Sequence, residues 1–200
     1  MVVLAERSLQ TVILNAISTF RQNLSTFVPD IYAQETSEHQ QEITNFWSNT
    51  ANNPPVIIGY SLQPNEDMQI AITNEPSSEV ANRRFVGNTY METSTGYEYT
   101  TTFEASYAMH VFGINQNWLL WGQALVLWAL MMNRNELETT YALENQRLSL
   151  SALQPAPDSL KDSVFPYKRT VFLSCQFQNT WTPLAGSSVS SASVTLDVTT

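Results

Sequence analysis

Charge is scarce in this chain. Only 14% of its 200 residues are Asp, Glu, Lys or Arg, so the surface of the folded protein must be built from Ser, Thr, Asn and Gln rather than ions, a composition suited to contacts with other proteins. Basic residues are scarcest. Lysine occurs only at Lys161 and Lys168, and the formal charge is -9. That balance excludes a phosphate-binding footprint, which needs clustered Lys and Arg to release counterions. A single cysteine, Cys175, excludes an internal disulfide, and its place in an alternating apolar run predicts a buried, inert thiol. The densest apolar run, Trp118 to Met132, is shorter than the roughly 20 residues a bilayer demands and contains Gln123. The first ten residues, MVVLAERSLQ, lack a basic region followed by a long apolar core. Neither a membrane span nor a secretory signal is expected.

Chemical motifs are missing too. There is no Gly-rich phosphate loop, no HExxH, no paired Cys or Cys/His spacing and no GxSxG elbow. No catalytic residue, cofactor or metal is therefore expected. His39 shares one helical side with Glu35, Glu38 and Glu42, a face that a metal would accept in principle, but solvated acids are the simpler reading. His110 lies on the polar side of a predicted strand near Glu98 and Glu104 without a recognisable nucleophile, so a solvated or hydrogen-bonded histidine is expected.

What is present is organised around NWLLWGQALVLWALMMNR, Asn117 to Arg134. An advance of about 100° per residue puts Trp118, Trp121, Leu125, Trp128 and Met132 on one stripe and Leu119, Val126 and Leu130 roughly opposite. A helix apolar all round sits inside a core, under a partner subunit or in a membrane, and length removes the last. The stripe is thus either core or a subunit interface. Asn117 is the expected N-cap.

Two hundred residues suit one domain, here 1–184, able to bury about 70% of the unfolded chain's surface. Ala5, Leu9, Val12, Ile13, Ala16, Ile17, Phe20 and Leu24 predict a one-sided helix over 4–24, interrupted at Pro29 and followed by an extended linker to Ala33. Ser37 with Gln40 predicts the start of a short polar helix with Ile43, Phe46 and Trp47 on its apolar edge. From Val56 the period changes to that of strands: VIIGYSL and MQIAIT around a turn at 64–67 predict a hairpin, with another strand near Phe85 to Glu92. Tyr97 to Val111 alternates strictly, predicting one core face and one wet face carrying Ala108 and His110. After the central helix, helix or loop is expected over 136–147, then a short strand at Leu148 to Leu153 and a last strong strand from Val164 to Trp181. The fold class expected is α+β, an antiparallel sheet packed against the N-terminal and central helices. Residues 185–200 form a Ser-rich C-terminal arm in which Val194, Leu196 and Val198 alternate with polar residues, the pattern of a strand completed on a partner.

This order resembles the tail terminator proteins of tailed bacteriophages. The residues carrying the resemblance are the first helix Leu4 to Leu24, the segment Val56 to Thr73, the strand Tyr97 to Phe112 leading directly into Trp118 to Met132, and the strand Val171 to Trp181. It implies a hexameric ring that caps the tail tube and joins it to the head connector or stopper. It also implies no catalysis, no tight nucleic-acid binding although DNA passes through the ring, and a place in the virion after assembly in the host cytoplasm. The acidic, Lys-poor composition is compatible, since a lumen that DNA traverses should not hold it. Other classes considered are a different neck, collar or baseplate subunit, a carbohydrate-binding module using Trp47, Tyr90 or Trp181, and a hydrolase using His110.

Overall fold

In a computed structural model of the chain, the residues described are 5–59, 67–79, 89–93, 96–155 and 165–181. The fold is α+β. Helices α1 (Ala5–Gln22), α2 (Leu24–Ile31) and α3 (Ser37–Ser48) precede a 3-10 turn (Thr50–Asn52) and strands β1 (Val56–Ile58), β2 (Met68–Glu79), β3 (Thr89–Thr93) and β4 (Gly96–Gly113). Helices α4 (Gln116–Met132) and α5 (Arg134–Thr139) follow, then β5 (Glu144–Leu150), β6 (Gln154–Pro155) and β7 (Tyr167–Trp181). The seven strands form one sheet in the order β1-β2-β4-β7-β5, with β3 beside β4 and β6 beside β7.

Helix α1 buries the face its spacing requires, from Ala5 to Phe20. It ends at Asn23, whose φ of -132° and ψ of 37° leave the helical region. The expected extended linker is instead largely helix: α2 runs through Pro29 to Ile31. Proline removes one backbone hydrogen bond there, and burial of Val28 and Tyr32 offsets the loss. Thr36, not Ser37, caps α3, its side chain accepting from the His39 N–H. Gln40 donates to the Tyr32 carbonyl at 3.0 Å rather than completing a capping box.

Among the described residues the predicted hairpin is not formed, residues 60–66 of it lying outside them. β1 pairs with β2 in parallel, Val56 beside Ile70 and Ile58 beside Ile72, so the sheet is mixed rather than antiparallel. The chain leaves β1 through Gly59, whose φ of +79° suits glycine, and α1 fixes the strand from outside, Gln10 Nε2 donating to the Val56 carbonyl at 2.6 Å. β4 and β7 pair antiparallel from Tyr99–Trp181 to Gly113–Tyr167. β5 starts earlier than expected, at Glu144, and α5 occupies only the first part of the stretch predicted as helix or loop. The strand expected near Phe85 to Glu92 is seen as β3, the rest of that stretch lying outside the described residues. The arm, with Val194, Leu196 and Val198, also lies outside them.

Helices α1 and α4 pack on one face of the sheet, over Ile70, Ile72, Tyr107, Met109, Val111, Val171 and Leu173. The opposite face is not uniformly wet. Ala108, His110 and Phe112 are buried there, and Ala71, Phe112 and Phe165 form a second, smaller cluster.

The central helix is apolar all round because it lies between two partners. Gly122, Gln123 and Leu119 meet the strand layer, while its tryptophans meet the outer helices. The Phe46 ring lies 4.9 Å from Trp118 and 5.5 Å from Trp121, and Phe27 lies 4.9 Å from Trp128. Trp121 and Leu125 are buried, and Trp118 and Trp128 are partly buried against the same cluster. Met132 departs from the stripe. It is 65% exposed, because α2 and α3 do not extend over the last turn. Asn115 rather than Asn117 is the cap, its Oδ1 accepting from the Asn117 N–H at 2.8 Å.

Two substitutions measure this packing. A Cβ at Gly122 would meet Val111 Cγ1 at 2.8 Å and Met68 Sδ at 3.0 Å. Gly122→Ala should therefore destabilise by about 1–3 kcal/mol through overpacking, against a gain of only about 1 kcal/mol from helix propensity. Trp121→Ala should cost about 3–5 kcal/mol, whereas Met132→Ser should stay within about 0.5 kcal/mol. Urea denaturation checks all three, and a neutral Gly122→Ala would refute the close approach.

Candidate functional site

The polar chemistry of the described residues gathers around Thr170, in the middle of β7. Its carbonyl accepts from Gln123 Nε2 of α4 at 2.9 Å, and the same amide nitrogen reaches the Ser151 carbonyl at 3.0 Å. Gln123 Oε1 accepts from Arg169 Nη1 at 3.3 Å, and the Thr170 N–H donates to Ser151 Oγ at 2.8 Å. The Thr170 hydroxyl points to the other sheet face, 2.9 Å from His110 Nδ1, while His110 Nε2 lies 3.1 Å from the Thr73 hydroxyl. Gln123, His110 and Thr170 are all buried. One threonine thus ties the central helix to one face of the sheet and a histidine to the other.

Burial, and secondarily Lys168, lower the His110 imidazole to about 4, so at neutral pH it is an uncharged ring between two hydroxyls. Elsewhere in the core, burial pushes the Cys175 thiol up to about 12, which leaves no thiolate at neutral pH. Tyr107 is raised as well, first by burial. His39 faces solvent and meets Glu35 at 3.0 Å. Among the described residues no group of three or more His, Cys, Asp and Glu is placed to hold a metal ion, so Glu38 and Glu42 do not complete the face that the sequence suggested.

Trp47 is not a carbohydrate platform. It is fully buried, with Phe20 and Phe46 edge-on at 5.7 and 5.1 Å. Its indole N–H has no partner in hydrogen-bond geometry, although the Trp47 side chain interacts with the Tyr32 hydroxyl, which itself donates to the Trp121 carbonyl at 2.8 Å. The side chains of Tyr90 and Trp181 lie outside the described set.

Two surface features were not legible in the sequence, and both lie along β5. On the sheet face away from the helices, a polar cleft of about 530 Å³ is lined by Glu104, Arg134, Asn145, Arg147, Ser174 and Gln176. Asn145 holds a φ of 51° and donates to Gln176 Oε1 at 2.8 Å. On the helix side, Leu127 and Met131 of α4 and Leu148 and Leu150 of β5 line an apolar groove of about 340 Å³. Met131 is 60% and Leu150 52% exposed. The sequence held no signal for either feature, since both depend on β5 taking the place beside β7.

His110 also makes stability depend on pH. Its folded value near 4 lies below the ordinary 6.5, so the unfolded chain binds the proton more readily. The stabilisation is complete above pH 6.5 and is lost as the pH falls from there to 4. At about 1.4 kcal/mol per pKa unit its ceiling is about 3 kcal/mol. His110→Gln should melt with a shallower dependence than the parent chain between pH 6.5 and 4; equal slopes in thermal melts would show that His110 is not the group responsible.

No helix among the described residues is long and apolar enough to cross a membrane. Compared with known proteins, the chain matches no family model and no curated protein.

Proposed function

We propose that this chain is a non-catalytic structural subunit that closes into a ring with copies of itself, the tail terminator of a tailed bacteriophage. In this reading the ring caps the tail tube, receives the head connector or stopper, and sits at the head–tail junction of the virion after assembly in the host cytoplasm. The observation that carries the reading is the element order, in which an 18-residue β4 runs straight into α4 and α1 and α4 share one sheet face. That leaves the other face and the β5 edge, with Thr73, Ser106, Arg147, Ser174 and Gln176, for contacts between subunits. Different surfaces meeting head to tail close into rings when the rotation permits. A net charge of -9 suits a lumen through which DNA slides without being held. Six subunits is the number that the resemblance implies.

Electron microscopy tests this directly. Imaging of an assembled particle containing the chain should show one ring of copies at the top of the tail, related by rotation about the tail axis. Copies elsewhere on the particle would make it a collar, neck or baseplate subunit. Copies not related by that rotation would remove the ring altogether.

A further inference from the structure

We propose that residues 192–198 of one copy dock as an added strand on the free edge of β5 in a second copy, an inference that rests on the self-assembly reading and supplies its linkage. β5 ends the strand order on its side of the sheet. The Ser151 N–H bonds to the Thr170 carbonyl, so alternation turns Arg147 and Ser149 toward β7 and leaves the backbone groups of Leu148 and Leu150 facing outward. The outward carbonyl of Gln146 is already taken by Arg134 Nη2 at 2.9 Å. Among the described residues the open length of edge is therefore Leu148 to Leu150, and it coincides with the apolar groove formed with Leu127 and Met131.

A strand placed there needs apolar residues at every second position, to cover Met131 and Leu150, and polar residues between them. Ala192, Val194, Leu196 and Val198 alternate with Ser193, Thr195, Asp197 and Thr199 in that pattern. Charge agrees as well. With the apolar set turned to the groove, Asp197 falls on the opposite sheet face, where Arg147 is exposed. Asp197 is the only charged residue after Lys168 and Arg169.

The path selects a second copy over the arm's own subunit. β7 ends at Trp181, five residues beyond Gln176, the partner of Glu144 at the start of β5. An arm folding back onto its own β5 would have to reverse and then run parallel to it, the less stable pairing. Ten residues separate Trp181 from Ala192, about 35 Å of extended chain, enough to leave one subunit and enter a neighbour's edge in the antiparallel sense.

Cysteine cross-linking of full-length chains tests the docking, with the buried Cys175 left in place. Ser149→Cys co-expressed with Ser193→Cys, Thr195→Cys or Thr199→Cys should give a disulfide-linked dimer of the two different chains in at least one pairing, and neither variant alone should. Arg147→Glu should lower the yield severalfold, and Asp197→Arg on the other chain should restore it. A doubly substituted chain that closes on itself, with no dimer from the mixed chains, would place the arm on its own subunit and overturn the proposal. No cross-link in any combination would overturn it too. A ring still visible by microscopy would then leave the self-assembly reading standing, and its absence would remove both.

Discussion

The fold depends on how closely α4 approaches the sheet. A glycine in the middle of a helix costs about 1 kcal/mol relative to alanine, yet Gly122 sits at the centre of α4, where a Cβ would press on Val111 and Met68. The backbone is thereby brought near enough for its neighbour Gln123 to hydrogen-bond the carbonyl of Thr170 on β7. Once α4 lies this deep, its far side is below the surface as well. The gap above Trp118, Trp121 and Trp128 must be filled, and Phe46 of α3 with Phe20 and Phe27 of α1 and α2 fills it. The three N-terminal helices are the outer half of a core whose centre is α4.

The same approach organises the polar interior. A buried glutamine is costly unless its amide is satisfied, and Gln123 meets this requirement through Ser151, Thr170 and Arg169. Thr170 then couples the two sheet faces, since its hydroxyl holds His110. In a chain with so few ions, neutral side-chain amides and hydroxyls take the bridging role that salt bridges often fill. The hydrogen bonds among Gln123, Ser151, Thr170 and His110 retain their strength with added salt, because the Debye screening that weakens exposed ion pairs acts little on neutral buried hydrogen bonds.

Much of this arrangement was legible in the sequence, for identifiable reasons. The one-sided burial of α1 and the core face of β4 follow from periods of 3.6 and 2, which the chain keeps for long stretches. The errors fall where local pattern cannot speak. Two short apolar runs around a turn read as a hairpin, but β1 pairs with β2 in parallel, and α1 packs on it with Gln10 bonded to the Val56 carbonyl. The wet face expected for His110 failed because Phe165, far along the chain, covers Phe112 and Ala71. Met132 fitted the stripe by angle, but a stripe does not say where the covering helices end. For the candidate site, the sequence offered the alternation of the arm but nothing about the edge of β5, which exists only once β7 has chosen its neighbours.

That edge carries an asymmetry with physical consequences. Exposed sheet edges invite pairing with other chains, and proteins guard them with charge, bulges or covering segments. The first half of β5 has all of these: a register shift between Glu144 and Arg147, a left-handed Asn145, and Arg134 bonded to the Gln146 carbonyl. The second half, Leu148 to Leu150, has none of them among the described residues, and the exposed Met131 and Leu150 stand beside it. An unguarded backbone alone would accept almost any extended chain, and an apolar groove alone would accept almost any greasy one. Their coincidence over three residues, with the exposed guanidinium of Arg147 on the other face, favours a short strand that is apolar on one side and acidic on the other. Guarding one half of an edge while leaving the other open confines pairing to one register, the selectivity that a repeating contact between identical subunits requires.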